Sequence, residues 1–340
     1  MRKNFTKEKA AEEFHDEIMN VFSEYRLETG LTMRQTISIA FQNYLDTHSG
    51  KVPKFGVPLE DFMAWLPLKM GEDYRSMYSV VHSLFFWEYT RTKLVIPQEL
   101  NDHVLASELP ATIPVDVLKR LPQWSQWIEY QVMFENSHDP ENGTNAVSHG
   151  SFVSYINENG SNYLQVTMEL VVFNMKENWA DSGSWLTYRF NLDQDRPFDD
   201  AEFSKAEITS SNDLDKKLAN SHIILNKAKE YVLKVALFVA SMQPTDESKS
   251  SLKRPEPRRK GKSYKLQVRG QCKEVVVGEE YLAVIREFNE TVNRQSGSRK
   301  AHIRCAHWHR YWTGAKAIQK LILKWIAPCI VSGTSEESTG

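Results

Sequence analysis

Residues 301–314, AHIRCAHWHRYWTG, hold three histidines, two arginines, two tryptophans and a tyrosine, with no acidic side chain among them. Three chemistries use such types. Cysteine and histidine bind zinc. Paired imidazoles beside an arginine could cut a phosphodiester, because histidine titrates near neutrality. Arginine among exposed aromatics can stack on bases, pair with phosphate or line a peptide groove. On a strand, alternate side chains share a face. Cys305, His307, His309 and Tyr311 then point one way, and Arg304, Trp308, Arg310 and Trp312 the other, with His302 on the second face. Alternate positions on one strand do not close a tetrahedron unaided, and no CxxC or HExxH accompanies them, so no metal site is expected. A ribonuclease would use His307 and His309 as acid and base with Arg310 as phosphate clamp. Recognition asks least of the geometry. The bland competitor is a hairpin whose tryptophans (Trp308, Trp312 and Trp325) cover a core.

No stronger catalytic motif competes. The sequence has no GxxxxGK[ST] phosphate loop, no GxGxxG after a strand and no GxSxG elbow. The carboxylates of DQDRPFDD (193–200) and HDPENGTN (138–145) read as turn formers. No catalytic residue and no cofactor is assigned. Cys272, Cys305 and Cys329 are too few for a disulfide framework and suit a reducing cytosol. The amphipathic start lacks the features of a signal peptide, and no apolar run is long enough to cross a bilayer. A cytoplasmic protein without membrane partners is expected.

Charge is lopsided although the net is only −2. From Lys249 to Trp325 there are 19 Lys+Arg against 6 Asp+Glu, leaving 23 basic and 38 acidic residues elsewhere. Such an end faces either a polyanion or the acidic remainder of its own chain.

The elements that would carry these residues follow from periodicity. Phe14, Ile18, Val21, Phe22 and Tyr25 mark an amphipathic helix closed by Gly30. Thr32 can cap a second helix, KVPKFGVP (51–58) is a broken connector, and residues 74–91 form a core helix in which His82 is a satisfied core histidine. Alternation then takes over from residue 126, and Asn-Gly in NENG is a strong type I′ hairpin signal. An antiparallel sheet with one wet face is expected, followed by a long helix over 211–242 capped by Ser211 or Asn212. Residues 244–263, rich in Pro, Ser, Lys and Arg, read as a mobile basic linker. Its Lys253, Arg254, Arg258, Arg259, Lys260 and Lys262 could touch RNA or a ribosome. Two short strands, KLQVRG and KEVVVG, a helix and two strands around TGAKAIQK complete the chain. The fold class is α+β. Its parts are a helical N-terminal region (1–115), an antiparallel sheet with a long helix (116–243), the basic linker (244–263) and a basic strand-rich segment with the HWHxYW hairpin (264–340).

AHIRCAHWHRYWTG followed by KLILKWIAPCIVSG resembles the C-terminal block of an anti-CRISPR family, that of the second described inhibitor of type V-A CRISPR systems, carried by phages and other mobile elements. His302, Ile303, Arg304, His307, Trp308, His309, Tyr311, Trp312, Gly314, Lys324, Trp325, Pro328 and Val331 match its pattern, RPHIRRxHWHxYWxG and the basic strand after it. RLPQWSQWIEY (120–130) and FFWEYTRTKLVIPQEL (85–100) are weaker echoes. Cys305 stands where the pattern has arginine and Ala301 where it has proline, which weakens any role of Cys305 as a ligand. The resemblance implies a protein that does not block the assembled nuclease. It would recognise the nuclease's N-terminal polypeptide as it is made and promote loss of the encoding mRNA. His302, Arg304, His307, Trp308, His309, Arg310, Tyr311, Trp312, Lys324 and Trp325 would then contact peptide or RNA, with the ribosome or mRNA as a further partner. A message-cutting ribonuclease built on His307 and His309, and a mobile-element RNA-binding regulator, are the alternatives.

Overall fold

The structure, a computed structural model, describes residues 30–65, 78–113, 115–135, 144–174, 179–193, 196–197, 204–209, 222–243, 252–267, 271–294, 301–314 and 320–332. The first expected helix, the 211–221 cap region and the centre of TGAKAIQK lie outside the described residues. In chain order come α1 (Met33–Thr47), α2 (Leu59–Trp65), α3 (Tyr78–Thr90), β1 (Thr92–Val95), α4 (Gln98–Ala106), β2 (Thr112–Ile113) and α5 (Val115–Leu118). Then follow β3 (Ser125–Glu135), β4 (Thr144–Glu158), β5 (Ser161–Asn174), β6 (Trp179–Asn191), β7 (Arg196–Pro197), β8 (Ser204–Thr209) and α6 (His222–Ser241). The C-terminal part holds β9 (Arg258–Lys260), β10 (Ser263–Lys265), β11 (Lys273–Val276), α7 (Glu279–Arg294), β12 (Ala301–Arg304), β13 (His307–Thr313), β14 (Lys320–Ile326) and β15 (Cys329–Ser332).

The α+β class is as the periodicity indicates. Thr32 caps α1 through a complete capping box with Gln35. The β4–β5 turn places Asn159 and Gly160 at φ 50° and 80°, the two left-handed residues of a type I′ turn, and closes on the Glu158↔Ser161 pair.

The main sheet runs β11-β1-β3-β4-β5-β6-β8. It is mixed rather than purely antiparallel, because β1 pairs in parallel with both β3 and β11. β11 is thus an edge strand of the main sheet. The 264–340 segment is tied into the central sheet, not appended to it.

Both faces of the sheet are covered. On one, Leu164, Val166, Met168 and Leu170 of β5 and Leu186, Tyr188 and Phe190 of β6 pack against α6, whose Tyr231, Leu237 and Phe238 are buried. The other face, expected to be wet, carries the alternate polar residues Gln165, Thr167, Glu169, Thr187 and Arg189. Instead α1, α2 and α3 roof it, with Phe41, Phe62, Phe85, Phe86, Trp124 and Trp185 in their own core cluster. The roof meets polar groups with polar groups. Gln165 Nε2 donates to Ser79 O (2.9 Å) and Ser83 Oγ (3.1 Å). Arg189 donates to Gln165 Oε1 (3.0 Å) and Ser79 Oγ (3.2 Å) and pairs with Glu158 (3.3 Å). Buried polar groups so partnered avoid the desolvation penalty of 1–3 kcal/mol or so each would otherwise carry.

Two ionisable groups under the roof are not so served. His82 is fully buried between the rings of Phe62 and Phe86, each 4.9 Å away, and neither ring nitrogen is hydrogen-bonded. It is a core histidine, but not a satisfied one. Burial, helped by the nearby Arg189 charge, pushes it down to about 3. Glu169 is 3% exposed, one carboxylate oxygen lacks a donor, and burial pushes it up to about 8.

The two have opposite linkage. Below about pH 6.5 the unfolded chain takes up a proton that native His82 refuses, so stability falls as pH drops, by about 2 kcal/mol at pH 5. Above about pH 4.5 the unfolded chain ionises while native Glu169 stays protonated, so stability falls as pH rises towards 8, by up to roughly 4 kcal/mol. Urea denaturation is expected to show His82→Leu flattening the acid limb of the stability–pH curve. Glu169→Gln should raise stability at pH 8 and change little at pH 4.5.

Candidate functional site

The AHIRCAHWHRYWTG block forms β12 and β13. β12 pairs with β15 (Arg304↔Cys329) and β13 with β14, both antiparallel. In the second pair Trp308 lies opposite Trp325 and Arg310 opposite Leu323, while His309 lies opposite Lys324 and Tyr311 opposite Ile322. The two-residue period divides these sets between faces.

The inner face anchors the hairpin. Trp325 is fully buried, its ring 5.3 Å from both Phe238 of α6 and Tyr281 of α7. Leu323 is buried, and Trp308 packs half-buried on the same core. Trp325, expected among the contact residues, is therefore an anchor that no partner can touch. Arg310 also belongs to this side: its guanidinium donates to Thr112 O of β2 at 2.7 Å. Trp312 lies at the strand's outer end, 66% exposed.

The outer face is a row of rings with cations at its rim. His307 and His309 meet edge to face with centroids 6.4 Å apart, and His309 and Tyr311 lie 4.3 Å apart at 41°. Lys324 Nζ sits 6.0 Å from the centre of the Tyr311 ring. Arg304 donates to His307 Nε2 at 2.9 Å, and His307 Nδ1 donates to Cys305 O at 3.1 Å. Since arginine can only donate, the pair of contacts fixes one tautomer and engages both ring nitrogens. His302 is paired through its backbone with Val331.

Cys272, Cys305 and Cys329 are exposed thiols, and among the described residues no three His, Cys, Asp or Glu side chains converge as metal ligands.

The basic stretch, expected to be a mobile linker, is folded over its described residues. Leu252 is buried, Gln123 donates to Lys253 O at 3.2 Å, and Arg254 donates to Leu121 O at 3.3 Å with its guanidinium 5.8 Å from the Tyr155 ring centre. Arg254 is thus a structural cation. β9 and β10 form a hairpin on α1: Tyr264 N donates to Asp46 Oδ1 at 2.6 Å, and Tyr264 O accepts from Gln42. Gly50 makes this docking possible, since a β-carbon there would run into the Tyr264 ring. Arg258, Arg259, Lys260 and Lys262 are exposed on this fixed hairpin. It sits on the helical roof of one sheet face, whereas β13–β14 sits on the helical layer of the other. The two candidate contact surfaces are not brought together.

The family model of the AcrVA2-like proteins, the anti-CRISPR type V subtype A2 family, matches residues 94–333. The chain belongs to that family. The matched stretch of this AcrVA2-like chain starts inside β1 and includes the other strands of the main sheet, both basic segments and the ring ladder. The crystal structure of AcrVA2 superposes with a TM-score of 0.52 at 14% identity, over 95% of this chain and 98% of that one. At that identity the likeness speaks for the fold, and it extends over the N-terminal roof that the family model leaves out. No curated protein matches the chain.

Sequence reasoning found the division of faces along β13 but counted the buried Trp325 among the contact residues. It also missed a concavity lined by Tyr44, His48, Asp61 and Trp65, whose only local sign was the i, i+4 spacing of Tyr44 and His48 on α1. The anchor assignment is tested by truncation. Trp325→Ala should cost roughly 3–5 kcal/mol in chemical denaturation, and Trp312→Ala no more than about 0.5 kcal/mol.

Proposed function

We propose that this anti-CRISPR protein acts in the cytoplasm of the bacterial host by lowering production of the type V-A effector nuclease. It engages the nuclease's N-terminal polypeptide as it emerges and promotes loss of the encoding mRNA. The observation that carries this reading is the outward row His307–His309–Tyr311, edged by Arg304 and Lys324. Rings and cations in one exposed strip favour binding over bond cleavage. Planar side chains lose little conformational entropy when they grip a peptide, and aromatic and arginine residues dominate such contacts. A nascent chain leaves the ribosome beside RNA, and the exposed Arg258, Arg259, Lys260 and Lys262 supply a separate contact for that polyanion.

The ribonuclease reading is weaker on geometry. A histidine that acts as base needs a free ring nitrogen within reach of the proton it takes. His307 has none while Arg304 and Cys305 O hold it.

A reporter tests the proposal. The first few dozen codons of the nuclease are fused to a fluorescent protein, and its message is measured with and without this protein. The message should fall, survive synonymous recoding of the leader as a target, and recover when the leader is frameshifted. Tyr311→Ala with His309→Ala should abolish the fall without lowering thermal stability. An unchanged fall after the frameshift would show that peptide is not what is read. Purified protein should leave the transcript intact; cleavage lost in His307→Ala would instead establish the enzyme.

The basic hairpin has its own test. Replacing Arg258, Arg259 and Lys260 by alanine should reduce co-sedimentation with polysomes and lower the log–log salt slope of RNA binding by about 2, the value for three single-strand phosphate contacts. An unchanged slope would remove this hairpin from the RNA contact.

A further inference from the structure

On the N-terminal roof, α1 and α2 enclose an open cavity of about 290 Å³. Its walls combine aromatic rings with polar side chains. The His48 ring stacks on Tyr44 at 4.0 Å and 22°, and its Nδ1 is held by Tyr44 O at 2.9 Å, so the imidazole is fixed face-on by the end of its own helix. Trp65 stands edge-on to Tyr44 at 5.9 Å. Asp61, one turn before Trp65 on α2, places a carboxylate on the same wall, and its charge reaches Tyr44, whose hydroxyl is raised by burial and by Asp61. Asn43 and Thr47 add polar side chains from α1.

Asp61 takes part in none of the ion pairs among the described residues. Its neighbour Glu60 is engaged, accepting from Asn159 N at 2.5 Å. An anion left beside three aromatic rings is the complement of a planar organic cation. The carboxylate supplies a directional acceptor and the ring faces supply cation–π attraction within about 6 Å. Guanidinium fits this pairing better than ammonium, because it is flat, weakly hydrated and able to stack while it donates in its own plane.

We propose that the Tyr44–His48–Trp65–Asp61 cavity is a binding site for an arginine side chain of a polypeptide partner. The site stands independently of the C-terminal ring ladder. It uses none of the ladder's residues and lies on the opposite helical layer.

The test uses the full chain and a probe that carries only the group in question. N-acetylarginine amide is titrated against the ¹⁵N-labelled protein, and the Trp65 indole resonance, assigned through Trp65→Phe, is followed. Saturable shifts are expected with the arginine probe. The isosteric neutral N-acetylcitrulline amide should bind at least tenfold more weakly, and Asp61→Asn should weaken arginine binding by about tenfold while leaving thermal stability unchanged. Equal shifts from arginine and citrulline, no shift from either, or unaltered arginine binding in Asp61→Asn would each overturn the assignment. Spermidine separates the two sources of such a cation: binding tighter than that of the arginine probe would overturn the side-chain reading in favour of a free polyamine.

Discussion

The central sheet has to hide two faces of unlike chemistry, and the rest of the molecule is arranged around that constraint. Along β5 the residues alternate Leu164, Val166, Met168 and Leu170 with Gln165, Thr167 and Glu169, and all of these are buried. The apolar face can take any greasy helix of suitable shape, and α6 provides one. The polar face cannot. It needs a roof whose own groups answer Gln165 and Arg189, which is what Ser79 and Ser83 on α3 do. A hydrogen-bonded interface of this kind is directional where hydrophobic contact is not. It fixes how the N-terminal helices sit, and through them the basic hairpin and the Tyr44 cavity mounted on α1.

The same period of two explains how one strand can be both anchor and display. Trp308 and Arg310 of β13 share a face with Trp325 and Leu323 of β14; burial of Trp325 and Leu323 holds the hairpin to α6 and α7, and the Arg310 hydrogen bond to Thr112 O ties it to β2. His307, His309 and Tyr311 consequently have no choice but to face solvent. A one-residue slip in register would reverse the two sets, burying imidazoles and exposing indoles. The close packing of Trp325 against Phe238 and Tyr281 therefore sets the chemistry of the outer surface as well as its attachment.

What could be read from the sequence was what is decided locally. The Thr32 cap, the Asn159–Gly160 turn and the alternation along residues 304–312 depend on neighbours a few positions away, and each was legible. Partners distant in the chain were not. Nothing in KEVVVG says that β11 lies in parallel beside β1, some 180 residues earlier. The alternation of β5 and β6 looks like a solvated face because a polar side chain at period two reads the same whether water or Ser79 receives its hydrogen bond. Likewise RPEPRRKGK has the composition of a disordered linker. Composition does not reveal that Asp46 and Gln42 of α1 take up the backbone of Tyr264, or that Gly50 leaves room for its ring.

That arrangement bears on how the proposed partners could be engaged. The basic hairpin and the ring ladder lie on opposite helical layers, separated by the sheet and by layers spaced about 10 Å apart. At physiological ionic strength charge is screened over about 8 Å. The cations of Arg258, Arg259 and Lys260 therefore add almost nothing to the affinity of a ligand held at Tyr311. A short peptide or a short RNA can use one surface only. Joint use demands a partner that reaches both sides of the protein, and a translating ribosome with its emerging chain is of that size. In that case the two contacts act through effective concentration, each raising the occupancy of the other without touching it. Weak individual affinities would then be sufficient, and the protein would discriminate a nascent target from the same polypeptide released and folded.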